Sequence, residues 1–340
     1  MTDCPLVVIG ASAGGVEALR KVFSDLPATF PGAICLVLHV PAQAPSVLPA
    51  ILSRAGALAA RHAADGDVLH PGVVLIGPPD HHLLVENGCV RLSKGPQENR
   101  HRPAVDPLFR SAAAAYGHNV VGVILSGALD DGAAGLAAIK ARGGVAVVQS
   151  PGDASVPDMP RHALEYVAVD YALPAEEIPG LLTRLMVELP TRPATAPQGS
   201  PRYANRGREP VRPEGANHVL APLTCPDCSG NLWEFREGEI LRYHCRIGHS
   251  YSMRSLQAAQ DEAVERALWA GIRSLEENAV LARRLRKEAD ARGHGHLARR
   301  YDQRVARVEE SIGILRRFLE RERPLLAPED EPATAVPEPN

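Results

Sequence analysis

Leu6-Val7-Val8-Ile9-Gly10-Ala11-Ser12-Ala13-Gly14-Gly15-Val16-Glu17-Ala18-Leu19-Arg20-Lys21-Val22 runs from an apolar, β-branched stretch through small residues into helical spacing. This order predicts a strand, a sharp turn and a helix, with Ser12 in the turn. Small neighbours on both sides let the backbone bend tightly and lift the hydroxyl clear of a sheet. The helix that follows offers unpaired N–H groups that suit an oxyanion, and Ala13 to Gly15 are the candidate donors. Glycines in this arrangement also suit a phosphate.

Two features count against a nucleotide. The dinucleotide fingerprint needs glycine where Ser12 stands. The second apolar run, Ala33-Ile34-Cys35-Leu36-Val37-Leu38, leads into His39 rather than the acidic residue that holds a ribose hydroxyl. No Gly-Lys-Ser/Thr follows the glycines, so the P-loop pattern is missing as well.

The chain has 340 residues, 45% of them hydrophobic, and a net charge of -3. That is enough for one large domain and one or two small ones. The near-neutral balance gives no electrostatic case for nucleic acid or an anionic membrane as partner. No apolar run reaches the ~18 residues of a membrane span, and the N-terminus lacks the layout of a signal peptide. A cytoplasmic location is expected. Cys4, Cys35 and Cys89 are scattered and read as reduced core thiols.

From residue 5 to about 188, strand-like runs alternate with helical stretches: Leu6 to Ile9, Ile34 to Leu38, Val73 to Ile76, Val120 to Leu125 and Val145 to Gln149. The fold class expected is α/β, a doubly wound and mostly parallel sheet over 1–188, with chemistry at the carboxyl ends of the strands. Pro78-Pro79-Asp80 and Asn87-Gly88 mark an antiparallel insert near Val73 to Leu92 that shapes one wall of the site. Residues 189–221 read as a proline-rich linker, and 222–252 hold the other three cysteines. Residues 253–323 form a helical hairpin or coiled region broken near Gly293-His294-Gly295, and 324–340 an acidic, proline-rich disordered tail.

A serine needs a base within reach and a carboxylate behind the base. His39 ends the second strand, and Asp131 follows the strand Val121 to Leu125 in Ser126-Gly127-Ala128-Leu129-Asp130-Asp131-Gly132-Ala133. Ser12, His39 and Asp131 would converge above one sheet edge. A second assignment, Ser12, Asp131 and His162, restores the residue order of α/β-hydrolases. It ranks lower because His162 follows Met159-Pro160-Arg161 at a helix start.

Val8 to Gly15, Leu38-His39-Val40-Pro41, His101-Arg102-Pro103-Ala104-Val105-Asp106, Ser126 to Ala133 and Asp158-Met159-Pro160-Arg161 together resemble the CheB family of chemotaxis protein-glutamate methylesterases and glutaminases, in family order. The resemblance covers about residues 5 to 188. It implies that Ser12 matches the nucleophile, His39 the base and Asp131 the orienting acid, that no cofactor serves catalysis, and that methylated chemoreceptors are the partners. The chain departs from the family pattern Gly-Met-Gly-x-Asp-Gly at Gly127 to Gly132, where the methionine is replaced by Ala128. The five residues before the first apolar run leave no room for a phospho-receiver domain, so control by aspartyl phosphorylation within this chain is not expected.

Cys225-Pro-Asp-Cys228, sixteen residues, then Cys245-Arg-Ile-Gly-His249 is metal spacing. Cys225, Cys228, Cys245 and His249 form a Cys3His set that suits a structural zinc, with His244 a weaker ligand. Trp233 and Phe235 are expected to cover the site. The segment reads as a zinc-ribbon-like module whose loss leaves hydrolysis by the α/β domain intact; stand-alone members of the family resemble it in carrying such tails. Leu268, Ile272, Leu275 and Ala279, and Tyr301, Val305, Val308, Ile312, Leu315 and Leu319, recur at three- and four-residue spacing. They form a packing seam between helices, across a homodimer, or against a receptor's helices. The function expected is a serine hydrolase acting on glutamate methyl esters, with glutamine deamidation as a second reaction. The alternatives are a catalytically silent interaction module and a small-ester hydrolase.

Overall fold

The computed structural model describes residues 4–43, 46–191 and 218–321. Most of the expected linker and the whole expected tail lie outside them. In chain order the elements are β1 (Leu6–Ala11), α1 (Gly15–Ser24), β2 (Ala33–Leu38), α2 (Leu48–Ala55), β3 (Ala60–His62), β4 (Val74–Ile76), β5 (His82–Glu86), β6 (Cys89–Ser93) and α3 (Val105–Tyr116). There follow β7 (Val120–Ile124), α4 (Ala133–Ala141), β8 (Val145–Gln149), α5 (Asp158–Tyr166), β9 (Tyr171–Leu173) and α6 (Ile178–Glu188). Beyond residue 217 come β10 (Val219–Thr224), β11 (Asn231–Glu237), β12 (Ile240–Cys245), β13 (Ser250–Ser252), α7 (Met253–Ala291) and α8 (Gly295–Arg321).

The main sheet has the order β3-β4-β2-β1-β7-β8-β9, and every pairing in it is parallel. β1, β2, β7 and β8 are buried along their whole length, as continuous apolar runs demand when helices cover both faces. Alternation along β1 assigns the layers. Val7 and Ile9 pack with α1, α2 and α6, whereas Leu6 and Val8 pack with α3, α4 and α5. The doubly wound α/β sheet is therefore the fold, and it continues beyond the expected strands into β3 and β9. Both are three-residue edge strands, only partly buried, with too little apolar sequence to announce themselves.

Winding reverses between β1 and β7, so the crevice at their carboxyl ends is the topological switch point where such sheets carry ligands. Gly10 belongs to this region because β1 and α3 approach so closely that a Cβ on residue 10 would overlap the side chain of Val105. Gly10→Ala is expected to destabilise the domain by about 1–3 kcal/mol through overpacking, readable as a lowered denaturation midpoint at unchanged m-value.

The expected antiparallel insert is the β5–β6 hairpin, closed by Asn87 and Gly88 with φ of 49° and 80°. Val74–Ile76, just before it, belongs to the parallel sheet. The four-stranded antiparallel sheet β10-β11-β12-β13 clusters with the α/β sheet into one compact unit, Met1–Ala259. The second unit, Gln260–Asn340, holds most of α7 and all of α8. The two helices break at residues 292–294, where Gly293 has a φ of 75°. Ion pairs Arg286–Asp302 and Arg316–Glu276 tie them antiparallel, with Ile272, Ala279 and Ile312 buried in the seam.

Candidate active site

Ser12 and His39 are neighbours by register. Ala11 pairs with Leu38, and the His39 N–H donates to the Ala11 carbonyl at 3.1 Å, so the next residue on each strand stands at the same sheet edge. On its other side, Ser12 N–H donates to the Ser126 carbonyl at 2.9 Å. The turn is held from below: Ser126 Oγ donates to the Ala13 carbonyl at 2.7 Å and accepts from Val156 N–H at 2.9 Å. Gly127 keeps space open over the serine, since a Cβ there would lie 2.8 Å from Ser12 Cβ. Gly14 turns the chain into α1 with a φ of 72°, and the Gly15 N–H is already bound to the Ser12 carbonyl at 2.9 Å.

Asp131 reaches His39 from the loop after β7. Its Oδ2 lies 2.8 Å from His39 Nε2, and both side chains are almost fully buried. A carboxylate only accepts, so Nε2 carries a proton, and in the neutral ring it is Nδ1 that keeps the lone pair. Among the described residues that buried Nδ1 has no hydrogen-bond partner. The ring is thus used end for end relative to serine proteases, in which the acid holds Nδ1. Among the described residues no hydrogen bond joins Ser12 Oγ to the imidazole.

Four donors fill the Asp131 carboxylate. Besides His39, Oδ2 accepts from Val105 N–H at 2.7 Å; Oδ1 accepts from Asn99 Nδ2 at 2.8 Å and Asp106 N–H at 3.2 Å. Val105 and Asp106 open α3, whose N-cap Ala104 has no side chain to offer. Asp131 therefore caps that helix from across the sheet, and the helix N-terminus favours its charge. Burial alone would raise the Asp131 carboxyl, but the His39 hydrogen bond and charge, with the Val105 and Asn99 donors, hold it well below the ordinary range. Asp106 repeats the arrangement one helix on, accepting at Oδ1 from Gly132 N–H at 3.1 Å and Gly135 N–H at 2.7 Å at the start of α4. Burial and the Asp131 charge push Asp106 up to about 6, against the pull of Arg242 and Arg110.

His101 lies flat on His39, with ring centroids 3.6 Å apart and planes within 9°. Burial and the neighbouring His39 push its pKa down to about 3, so it stacks as a neutral ring. His162, the other candidate base, is turned elsewhere: its Nδ1 lies 2.7 Å from the Leu129 carbonyl, not against Asp131. Asn99, His101, Asp106 and Ser126 all shape the site; the last three lie in motifs singled out in the sequence, although the sequence by itself gives them no role there. Asn99 in particular lies in an irregular stretch, Pro96 to Arg100, with no periodic signal.

Residues 7–182 match the family model described as CheB methylesterase. The chain belongs to the CheB methylesterase family. Relatives include the protein-glutamate methylesterase/protein-glutamine glutaminase 5 of Anaeromyxobacter dehalogenans, 43% identical over 184 residues, covering 53% of this chain and 51% of that protein. The protein of that name numbered 2 from Pseudomonas aeruginosa is 40% identical over 181 residues, covering 52% of each. The chain therefore spans about half the length of each of these two relatives. The crystal structure of the Thermotoga maritima CheB methylesterase catalytic domain superposes with a TM-score of 0.52 at 36% identity, over 54% of this chain and 98% of that one.

Within the CheB-family domain, Ala128 is exposed. Leu129, the next residue, holds a φ of 62°.

Outside the matched segment lies the cysteine cluster. Ligand atoms of Cys225, Cys228, Cys245 and His249 all fall within 4.8 Å of one another. Cys228 and Cys245 sulfurs are 3.6 Å apart, and His249 Nδ1 is 3.6 Å from Cys225 Sγ and 3.5 Å from Cys245 Sγ. A tetrahedron with ~2.3 Å metal–sulfur bonds has edges of about 3.8 Å, so the donor set fits zinc in both chemistry and size. Hydrogen bonds, first from Cys245 and then from His249 and Tyr251, lower the Cys225 thiol to about 3, while Cys245 is pushed up by the same sharing. Two turns present the pairs: Ser229 N–H donates to the Cys225 carbonyl at 2.8 Å, and Gly248 N–H to the Cys245 carbonyl at 3.0 Å.

Trp233 and Phe235 do not cover this cluster. In the β11–β12 ladder Trp233 opposes His244, whereas Leu232 opposes Cys245, and successive side chains point to opposite faces. The aromatics pack with His244 on the far face. Leu232, Tyr251 and Leu256 bury the cysteine side instead.

Proposed function

We propose that this chain is a serine hydrolase that removes methyl groups from glutamate methyl esters on chemoreceptor-type signalling proteins. The observation that supports this best is the buried His39–Asp131 pair at 2.8 Å, set beside Ser12 at the switch point of the sheet. Ser12 Oγ attacks the ester carbonyl carbon, and its proton passes to His39 Nδ1. The C–OMe bond then breaks, and methoxide leaves as methanol with the proton from Nδ1. Water adds to the acyl-enzyme by the same route, releasing a glutamate carboxylate and restoring the hydroxyl. Rotation of Ser12 on substrate binding closes the hydrogen bond to Nδ1. With the Gly15 N–H engaged, Ala13 and Gly14 are the turn's remaining donors for the oxyanion. Deamidation of glutamine follows the same path with ammonia as leaving group, which is in keeping with the names of the relatives.

Methylated receptors from the same cell, incubated with the protein, are expected to release methanol in proportion to enzyme. Hydrolysis of small esters with no release from receptors would instead favour a small-ester hydrolase. Absence of both in a folded protein would favour a silent interaction module. Among the described residues no helix is long and apolar enough to cross a membrane, and a cytoplasmic site of action is part of the proposal. A homodimer through α7 and α8 is a further part, testable by sedimentation.

Cys225, Cys228, Cys245 and His249 would hold one structural zinc ion, and no cofactor would serve the chemistry. The domain division belongs to the proposal as well: a catalytic domain over 1–188, a ribbon module over 222–252 and a helical hairpin over 253–323, while most of the expected linker over 189–221 and the whole expected tail over 324–340 lie outside the described residues. Elemental analysis of protein purified without chelator should find one zinc per chain, falling to well under half in Cys228→Ser. A metal content near zero in the unaltered protein would rule the site out.

A further inference from the structure

Where the four-stranded sheet meets the α/β domain, a buried cation reaches across. Arg242, in the middle of β12, is 1% exposed. Its Nη1 is ion-paired with Asp106 Oδ2, and its Nη2 donates to Ser250 Oγ at 3.2 Å and Glu98 Oε2 at 3.4 Å. Asp106 shares that Oδ2 with Asn99 Nδ2 at 2.9 Å, and the same amide nitrogen donates to Asp131 Oδ1. Asn99 is in turn held from the four-stranded sheet and the start of α7. Its Oδ1 accepts from Ser252 N–H at 3.0 Å and Ser255 Oγ at 3.2 Å, and its backbone N–H donates to the Ser250 carbonyl at 2.8 Å. Ser252 Oγ also donates to Asp130 Oδ1, at 2.6 Å, beside Asp131. Ile240 packs on Ala133 and Ala134 at the start of α4.

Adhesion alone does not require this arrangement. Removing a guanidinium from water carries a penalty that an apolar contact avoids, and such pairs often hold a structure no better than hydrophobic residues of equal size. What a buried arginine does supply is a fixed charge and directed donors, here beside Asp106, which shares the Asn99 amide with the His39 partner.

We propose that Arg242, Ser252 and Ser255 are positioning residues for Asp131, so that hydrolysis at Ser12 depends on the docked ribbon sheet. The proposal rests on the Ser12, His39 and Asp131 reading, and it reverses the expectation of an independent module. With Arg242 removed, Asp106 keeps only the more distant Arg110, at 3.8 Å, as counter-charge, and the carboxylate to which Asn99 Nδ2 donates is held less firmly. The carboxylate behind His39 then samples more than one position, and misplacement on the scale of an ångström reduces rate about 10- to 100-fold.

The test uses the full chain as purified, with Arg242→Met, Arg242→Lys and the double variant Ser252→Ala/Ser255→Ala. Small-ester kinetics and the proton resonance of the His39–Asp131 hydrogen bond are both measured. Arg242→Met is expected to lower kcat 10- to 100-fold at a KM within about twofold and to move or broaden the resonance, with Arg242→Lys recovering most of both. The serine pair should lower kcat several-fold with the same KM, and it decides the matter if Arg242→Met does not fold. Should the unaltered protein hydrolyse no ester, the methylesterase reading fails, and the resonance alone decides the positioning role. Unchanged kcat and an unmoved resonance in folded variants would overturn the proposal, as would a change confined to KM.

Discussion

Ser12→Ala is expected to lose ester hydrolysis by at least about 1,000-fold while keeping its melting temperature within about 2 °C. The hydroxyl is the only covalent centre proposed, so its removal takes away the acyl acceptor on which the mechanism depends. Its removal leaves the turn intact, because the turn is held by Ser126 Oγ and by the backbone bonds of Ser12, not by the Ser12 side chain. Residues that act as a unit lose activity non-additively, so adding Asp131→Asn to Ser12→Ala should reduce the residual rate little further. A Ser12→Ala protein that retains more than about a hundredth of the activity would overturn the mechanism.

The second large effect concerns the base. His39→Gln is expected to lose activity to a similar degree, whereas His162→Ala should stay within a few-fold, because His162 Nδ1 is committed to the Leu129 carbonyl. The reverse pattern would transfer the role to His162. Asp131→Asn should cost about 10,000-fold, since an amide can donate to His39 and favour the wrong tautomer. The acid also has a signature in stability. Its folded carboxyl is held below its unfolded value, so its contribution is present above the ordinary carboxylate pKa, about 4, and is lost as pH falls towards the folded value. Acid denaturation from pH 5 down to pH 2 should therefore be less steep in Asp131→Asn than in the unaltered protein. Equal slopes would show that Asp131 is not ionised in its burial site.

Much of this was legible in order and spacing. Continuous apolar runs at Leu6, Ile34, Val120 and Val145 separated by helical stretches are what a parallel sheet covered on both faces requires. The break of the last helices at Gly293 follows from backbone preference. Cys-x-x-Cys and Cys-x-x-x-His pairs are local in the chain, so four donors that later crowd together can be named from spacing alone. Ser12 and His39 were also readable, because each ends a strand and parallel neighbours place such ends side by side.

Long-range contact decided the remainder. Which nitrogen of His39 meets the acid depends on where a loop ninety-two residues later comes to rest. The faces of Trp233 and Phe235 depend on register in the β11–β12 ladder, and a shift by one residue would have reversed them. Asn99 and Arg242 carry no local pattern: an asparagine in an irregular loop and an arginine among strand residues read as solvated until packing buries them. Burial is what changes their meaning, because a polar group withdrawn from water must find partners. Both find Asp106 among their partners, and Asn99 reaches Asp131 as well. Sequence determined which groups could do chemistry and on which strand ends they stand; tertiary packing alone determined which of them touch.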